Sequence, residues 1–342
     1  MATYTHFGKQ PDVLKHLILC EVLRNEHPQV YVETNSACAF YPMQQTSEQQ
    51  YGIYYFLEKT AEEDNQILKD SIYYKIESAE MQRGYYLGSP ALAMEVLGRQ
   101  AQKFLYFDIE KSALDNVERY AKQAELQTSV HLYNTDSLEG VMRLLPSLPK
   151  DSFIHIDPYE IDKKGTSGLT YLDILIEATQ LGMKCLLWYG FMTQHDKSHL
   201  NSYITTRLEE ARIKDYICAE LIMNSIRQDT VLYNPGIIGR QSTGNLSRKQ
   251  RVAKIGNTSI LPLNMYPISV LHFRHHKRTF QRTQAIDGSQ YIQNELLIIF
   301  HIRSMDLQQV IVAARYIIAF GHFRNILYDS GKLSRNVPVQ PP

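Results

Sequence analysis

The chain has 342 residues, 44% of them hydrophobic and 21% charged, with 36 basic against 36 acidic side chains, which is ordinary for a globular protein able to bury a sizeable core. No run of about 18 apolar residues is present to span a membrane, and Met1–His6 lacks the basic region and apolar run of a secretory signal, so a cytoplasmic protein without a membrane partner is expected. The zero net charge conceals an asymmetry: residues 1–240 carry 23 basic and 32 acidic side chains, residues 241–342 carry 13 and 4, and a basic end of this kind suits a polyanion such as RNA.

Taken in chain order, helical periodicity alternates with short apolar runs from residue 12 to about residue 240, the pattern of a βαβ sheet. A helix over Asp12–Asn25 leads to a strand at Val30–Thr34, whose following loop, Glu33-Thr34-Asn35-Ser36-Ala37-Cys38-Ala39, is rich in small side chains. Small residues there suit either an ordinary βα turn or the close approach of a cofactor to backbone. Residues 44–84 are too long for a simple βα loop and read as a helical insertion. Its Tyr51, Tyr54, Tyr55, Tyr73 and Tyr74 fit a packed face or a base-stacking platform.

Beyond the insertion come a helix at Ser89–Gln100, a strand at Lys103–Asp108, a helix at Ser112–Glu125 and a strand at Ser129–Tyr133. Next are a helix at Ser137–Leu145, a strand at Ser152–Asp157, a helix at Leu169–Leu181, a strand at Met183–Tyr189, a helix at Lys197–Ala211 and a strand at Tyr216–Met223. Past Arg240 the rhythm stops. Gln241–Arg251 is a polar basic loop, Phe273-Arg274-His275-His276-Lys277-Arg278 a basic cluster, and Leu296–Arg303 and Leu307–Phe320 read as a strand and a helix. This end reads either as an RNA-binding extension or as the product of a shifted reading frame. Cys20, Cys38, Cys185 and Cys218 are scattered, with no spacing that closes a zinc site, and read as reduced, mostly buried thiols.

Several strands end in polar or acidic residues, as expected where a ligand binds at the carboxyl edge of a parallel sheet. Asp108 at the second long strand can accept from both ribose hydroxyls of an adenosine-containing cofactor, or can be a solvated strand end. Asp136 can accept from an adenine amine or cap the next helix. The phrase Ile156-Asp157-Pro158-Tyr159 is more telling. Methylation of a base amine needs acceptors that localise the amine lone pair, and Asp157 with the Pro158 carbonyl supplies them, while the Tyr159 ring can stack on a flipped base. A strand ended by a proline turn is the plainer alternative. Helical periodicity by itself puts His16 on a helix surface.

In order along residues 6–240, these segments resemble the RlmJ family of 23S ribosomal RNA adenine-N6 methyltransferases. The resemblance is carried by His6–His16, ending in Asp12-Val13-Leu14-Lys15-His16, and by Tyr31-Val32-Glu33-Thr34-Asn35. It continues through Tyr85-Tyr86-Leu87-Gly88-Ser89-Pro90, Phe107-Asp108, Thr135-Asp136-Ser137, Ile156–Glu160 and Leu187-Trp188-Tyr189. It implies a Rossmann-like class I fold dependent on S-adenosylmethionine, over residues 1–43 and 85–240, with the insertion at 44–84 and a basic extension at 241–342. It further implies no metal, an S-adenosylmethionine site lined by His16, Asn35, Ser89, Asp108, Asp136 and Ser137, a catalytic group of Asp157, Pro158 and Tyr159, and 23S ribosomal RNA as substrate. Two departures stand out: the family's Asp-Pro-Pro-Tyr is one proline shorter here, and Asn35 replaces a histidine. DNA adenine methylation and a catalytically inactive nucleic-acid-binding module of the same fold are the competing readings. Tyr233–Gly239 resembles the start of the family's last strand.

Overall fold

The computed structural model describes residues 4–62, 66–191, 194–214, 216–222, 272–275, 278–280 and 295–301. Helix α1 (Gln10–Glu26) has Pro11 in its first turn, where a missing N–H costs nothing, and the Lys9 amide donates to Asp12 Oδ2 at 3.2 Å. It ends at His27, which is in the left-handed region with φ 43° and whose amide bonds the Leu23 carbonyl. Strand β1 (Val30–Glu33) follows, buried at all four residues as befits the middle of a sheet covered on both faces.

Strands β2 (Phe40–Pro42) and β3 (Tyr85–Leu87) pair as an antiparallel ribbon and bracket the insertion. Between them lie α2 (Ser47–Gln49), a π-helical turn at Gln50–Tyr54 kinked at Gly52, α3 (Tyr55–Glu62), α4 (Gln66–Asp70) and α5 (Ile72–Gln82). Tyr73 is fully buried and Tyr54, Tyr55 and Tyr74 pack against the same core. These four rings therefore form a packed face, while the Tyr51 side chain lies outside the described set.

The βα alternation then runs α6 (Ser89–Leu97), β4 (Lys103–Phe107), α7 (Lys111–Gln123), β5 (Val130–Tyr133), α8 (Ser137–Leu144) and β6 (Phe153–Ile156). It continues with α9 (Tyr171–Gln180), β7 (Lys184–Phe191), α10 (Gln194–Glu210) and β8 (Tyr216–Ile222). Strands β9 (His272–His275), β10 (Arg278–Phe280) and β11 (Glu295–His301) complete a nine-stranded sheet of order β10-β9-β8-β11-β7-β6-β1-β4-β5. Strands β5, β4, β1, β6 and β7 are parallel, and β11 runs antiparallel between β7 and β8. This is a Rossmann-like α/β sheet, with a helical insertion after the first strand.

Successive strand residues face opposite ways, and the core divides accordingly. Tyr31, Phe104, Tyr106 and Phe153 join α1, α6 and α7 on one face. Val32, Leu105, Phe107, Ile154 and Ile156 join α8, α9 and α10 on the other. The strand expected at Leu296–Arg303 is β11, and the basic cluster at 273–278 overlaps β9 and β10. The expected segments Tyr233–Gly239, Gln241–Arg251 and Leu307–Phe320 lie outside the described residues. No described helix is long and apolar enough to cross a membrane.

Candidate functional site

Register fixes the site. Glu33 is paired with Tyr106 on β4 and with His155 on β6, and Phe107 with Tyr133 on β5. Two residues further along β1 and β6, and one further along β4 and β5, the same row contains Asn35, Asp157, Asp108 and Asn134. Parallel pairing thus delivers three predicted site residues to one carboxyl edge, with Asp136 and Ser137 just beyond Asn134.

Asp157 is met from α1. Lys15 Nζ donates to its Oδ2 at 2.6 Å, and Asp12 Oδ1 lies 3.6 Å from the same nitrogen. Burial opposes the lysine charge, but the facing Asp157 and Asp12 carboxylates outweigh it and hold the ammonium above the usual lysine range. The ammonium also sits 5.8 Å from the centre of the Trp188 ring, within cation–π reach. Pro158 is buried, while Tyr159 is 77% exposed. The tyrosine ring projects from the edge and touches no other ring among the described residues.

Asp108 is only 5% exposed. The amides of Ala37 and Glu110 donate to its two oxygens at 2.8 Å each, and the Tyr4 hydroxyl reaches both, at 3.1 and 3.2 Å. Burial and then the adjacent Asp108 charge push the Tyr4 hydroxyl up, so it remains a donor. Ala37 adopts φ 51°, and this left-handed turn aims its amide at the carboxylate. Asn116 on α7 accepts from the amides of Ala39 and Phe40 and donates to the Phe40 carbonyl, fixing the rest of the loop. Burial, then Asp108, raises the Cys38 thiol to about 11, so it is a small buried filler in this loop.

Ser89 does not present its hydroxyl to the edge as a lining residue would. It begins α6 after Gly88 and donates to Glu33 Oε1 inside the core. Tyr31 donates to the other Glu33 oxygen at 2.9 Å, and His155 Nδ1 lies 3.0 Å from the Tyr31 hydroxyl. His16 departs from its periodicity reading as a surface residue: it is 4% exposed, with Nδ1 2.9 Å from the Tyr86 hydroxyl. Burial first, then Lys15 and His155, pushes its imidazole well below the ordinary value, so it is neutral. The reason is tertiary: α1 is enclosed by α5 and α6, so the face that periodicity assigned to solvent is covered.

Asp136 does cap α8, its Oδ1 accepting from the Leu138 amide at 2.8 Å, while its Oδ2 has no partner among the described residues. Asn35 accepts from the Thr34 hydroxyl at 2.7 Å and donates to the Tyr171 hydroxyl at 3.0 Å. That hydroxyl is in turn 3.0 Å from Ser137 Oγ. Tyr4, Lys15, Thr34 and Tyr171 were not legible as site residues. Lys15 and Thr34 had a signal, each standing beside a named site residue, His16 or Asn35, in a quoted motif.

Asp136, with an uncommitted oxygen beside Ser137 Oγ, is the acceptor this edge offers to an adenosyl group, whereas both Asp108 oxygens are already engaged by Tyr4, Ala37 and Glu110. A Legionella pneumophila protein of the DUF519 family shares 20% sequence identity over 66% of this chain and 82% of that one, with a TM-score of 0.51. An S-adenosylmethionine-dependent methyltransferase from Agrobacterium tumefaciens shares 13% over 58% and 52%, with a TM-score of 0.33. An O-methyltransferase of tomaymycin synthesis from Streptomyces achromogenes, in complex with S-adenosylmethionine, shares 8% over 61% and 73%, with a TM-score of 0.32. No protein-family model matches the chain, and no curated protein matches it. At 20% identity the likeness to the Legionella protein speaks to the fold alone.

Proposed function

We propose that the chain transfers a methyl group from S-adenosylmethionine to the 6-amino group of an adenine in RNA, with 23S ribosomal RNA as the leading substrate. The observation that carries the reading is Asp157. A carboxylate at a central strand end, followed by proline and met by a largely buried lysine, shares its edge with Asp108, Asp136 and Ser137. S-adenosylmethionine would supply an electrophilic methyl group, held by Asn35, Asp108, Asp136 and Ser137, with His16 and Ser89 behind them.

The rest is done by the chain. Lys15 takes one oxygen of Asp157, which leaves the other to accept a hydrogen from the adenine amine, with the Pro158 carbonyl as second acceptor. Holding both amine hydrogens localises the nitrogen lone pair, and fixed alignment supplies most of the acceleration. Tyr159 is available to stack on the flipped base. Neutral His16 puts no like charge beside a sulfonium.

Incubation with labelled S-adenosylmethionine and unmodified 23S ribosomal RNA is expected to give labelled N6-methyladenine. Asp157→Ala should abolish incorporation while changing cofactor affinity by less than about threefold; unchanged turnover would reject the assignment. Greater incorporation into duplex DNA would move the substrate to DNA. One observation favours an inactive binding module instead: Tyr4 engages both oxygens of Asp108. Tight RNA binding with no methylation of RNA or DNA would select that reading.

A further inference from the structure

A chain of hydrogen bonds crosses three strand ends. The Asp157 amide can only donate, and its acceptor is Thr34 Oγ1 at 3.4 Å, the longest link. Thr34 spends its own hydrogen on Asn35 Oδ1 at 2.7 Å. That contact fixes the amide orientation, so Asn35 Nδ2 donates to the Tyr171 oxygen at 3.0 Å. Tyr171 then has one hydrogen left, and Ser137 Oγ is 3.0 Å away. Either oxygen can donate in that contact; with Tyr171 as the donor, Ser137 keeps its hydrogen for whatever occupies the site. Tyr171 is held firmly: it follows Thr170, whose amide and hydroxyl both bond Asp173 Oδ2, and Asp173 is paired with Arg207.

We infer that Thr34, Asn35 and Tyr171 set the Ser137 hydroxyl as a donor to the adenine ring of the bound adenosyl group and tie that contact to the Asp157 loop. Tyr171 is a positioning residue. The inference rests on the proposed use of S-adenosylmethionine and deepens it. Asp136 Oδ2 is an uncommitted acceptor one residue before Ser137, so the pair offers acceptor and donor side by side. The amine and neighbouring ring nitrogen of adenine present the complement, donor and acceptor. Hypoxanthine presents the reverse of both, and a polar site rejects a ligand that leaves its groups mispaired. Asn35 is the element that gives the chain its direction, because its side chain accepts on one side and donates on the other. Replacing it by aspartate would turn the second contact around: Tyr171 would donate to the introduced carboxylate, accept from Ser137, and leave Ser137 an acceptor.

The test is calorimetric titration of the full chain with S-adenosylhomocysteine and with S-inosylhomocysteine, so that affinity and not turnover is read. The wild type is expected to prefer the adenine ligand by about 25-fold, from two contacts of about fivefold each. Asn35→Asp should lower that preference at least about fivefold, and Tyr171→Phe should lower it by a smaller factor, since Ser137 is then free to rotate. A merely structural role for either side chain would weaken both ligands equally and leave the ratio unchanged. Wild-type ratios in both variants, or a wild type that binds the two ligands equally, would overturn the inference while leaving the cofactor reading intact. A wild type that binds neither ligand would overturn both.

Discussion

Lys15 lies between two carboxylates, 2.6 Å from Asp157 and 3.6 Å from Asp12. Only the nearer one belongs to the proposed chemistry, and the lysine is what stops that carboxylate from turning towards water. Lys15→Met keeps an apolar stem against Trp188 and removes the charge. Turnover is expected to fall by about a hundredfold, the scale on which small misplacements of a reacting group act, while cofactor affinity changes little. Single-turnover methyl transfer paired with titration measures both, and an unchanged rate would exclude a positioning role for Lys15. Sequence made Asp157 and Asp108 visible because each is a short acidic side chain at the end of an apolar run. It could not reveal Tyr4 or Tyr171, whose partners lie 104 and 136 residues away in Asp108 and Asn35. Contacts of that range leave no periodic trace in a single chain.

The elements divide in the same way. The five parallel strands were legible because each is an apolar run followed by a helical pattern, and right-handed crossovers leave few ways to assemble them. The β2–β3 ribbon was not, since three-residue strands are too short to show alternation. Yet that ribbon places Gly88 against the loop that follows β1. Its amide donates to the Ala39 carbonyl at 2.8 Å, and a Cβ on it would meet the Cys38 carbonyl oxygen at 2.1 Å. Backbone must move to relieve such a contact, so Gly88→Ala is expected to cost about 1–3 kcal/mol. It should also weaken S-adenosylhomocysteine binding more than a Gly→Ala change at exposed Gly190 does, where a Cβ meets nothing within 4 Å. Equal unfolding midpoints in urea for Gly88→Ala and wild type would show that the loop has more room than its packing indicates.

Two buried groups give the whole molecule opposed responses to acid. His16 is held neutral, so between its lowered native value and the unfolded value of about 6.5 only the unfolded chain takes up a proton. Its contribution is complete above that range and is lost as pH falls through it, at up to about 1.4 kcal/mol per pH unit. Glu77 is the reverse case. Burial raises its carboxyl well above the usual range despite the Leu87 amide that bonds it, so its contribution is complete at low pH and declines as pH rises past about 4.5. Urea melts of His16→Gln and Glu77→Gln from pH 4 to 8 separate the two. The His16 variant should lose the acid-side slope, and the Glu77 variant should gain stability relative to wild type as pH rises. Parallel curves would mean that neither group titrates with folding.

Strand β11 enters the sheet between β7 and β8, with Glu295 opposite Ile222. During synthesis the five parallel strands have all left the ribosome once Phe191 has, and the proposed catalytic edge needs nothing later than Arg207. The partner that β7 and β8 share arrives at least a hundred residues after β7. Until then both present open backbone donors and acceptors, the condition in which strands pair with the wrong neighbour. Nascent chains halted near residue 230 should therefore already hold the edge in register and yet be far more prone to self-association than chains released after His301.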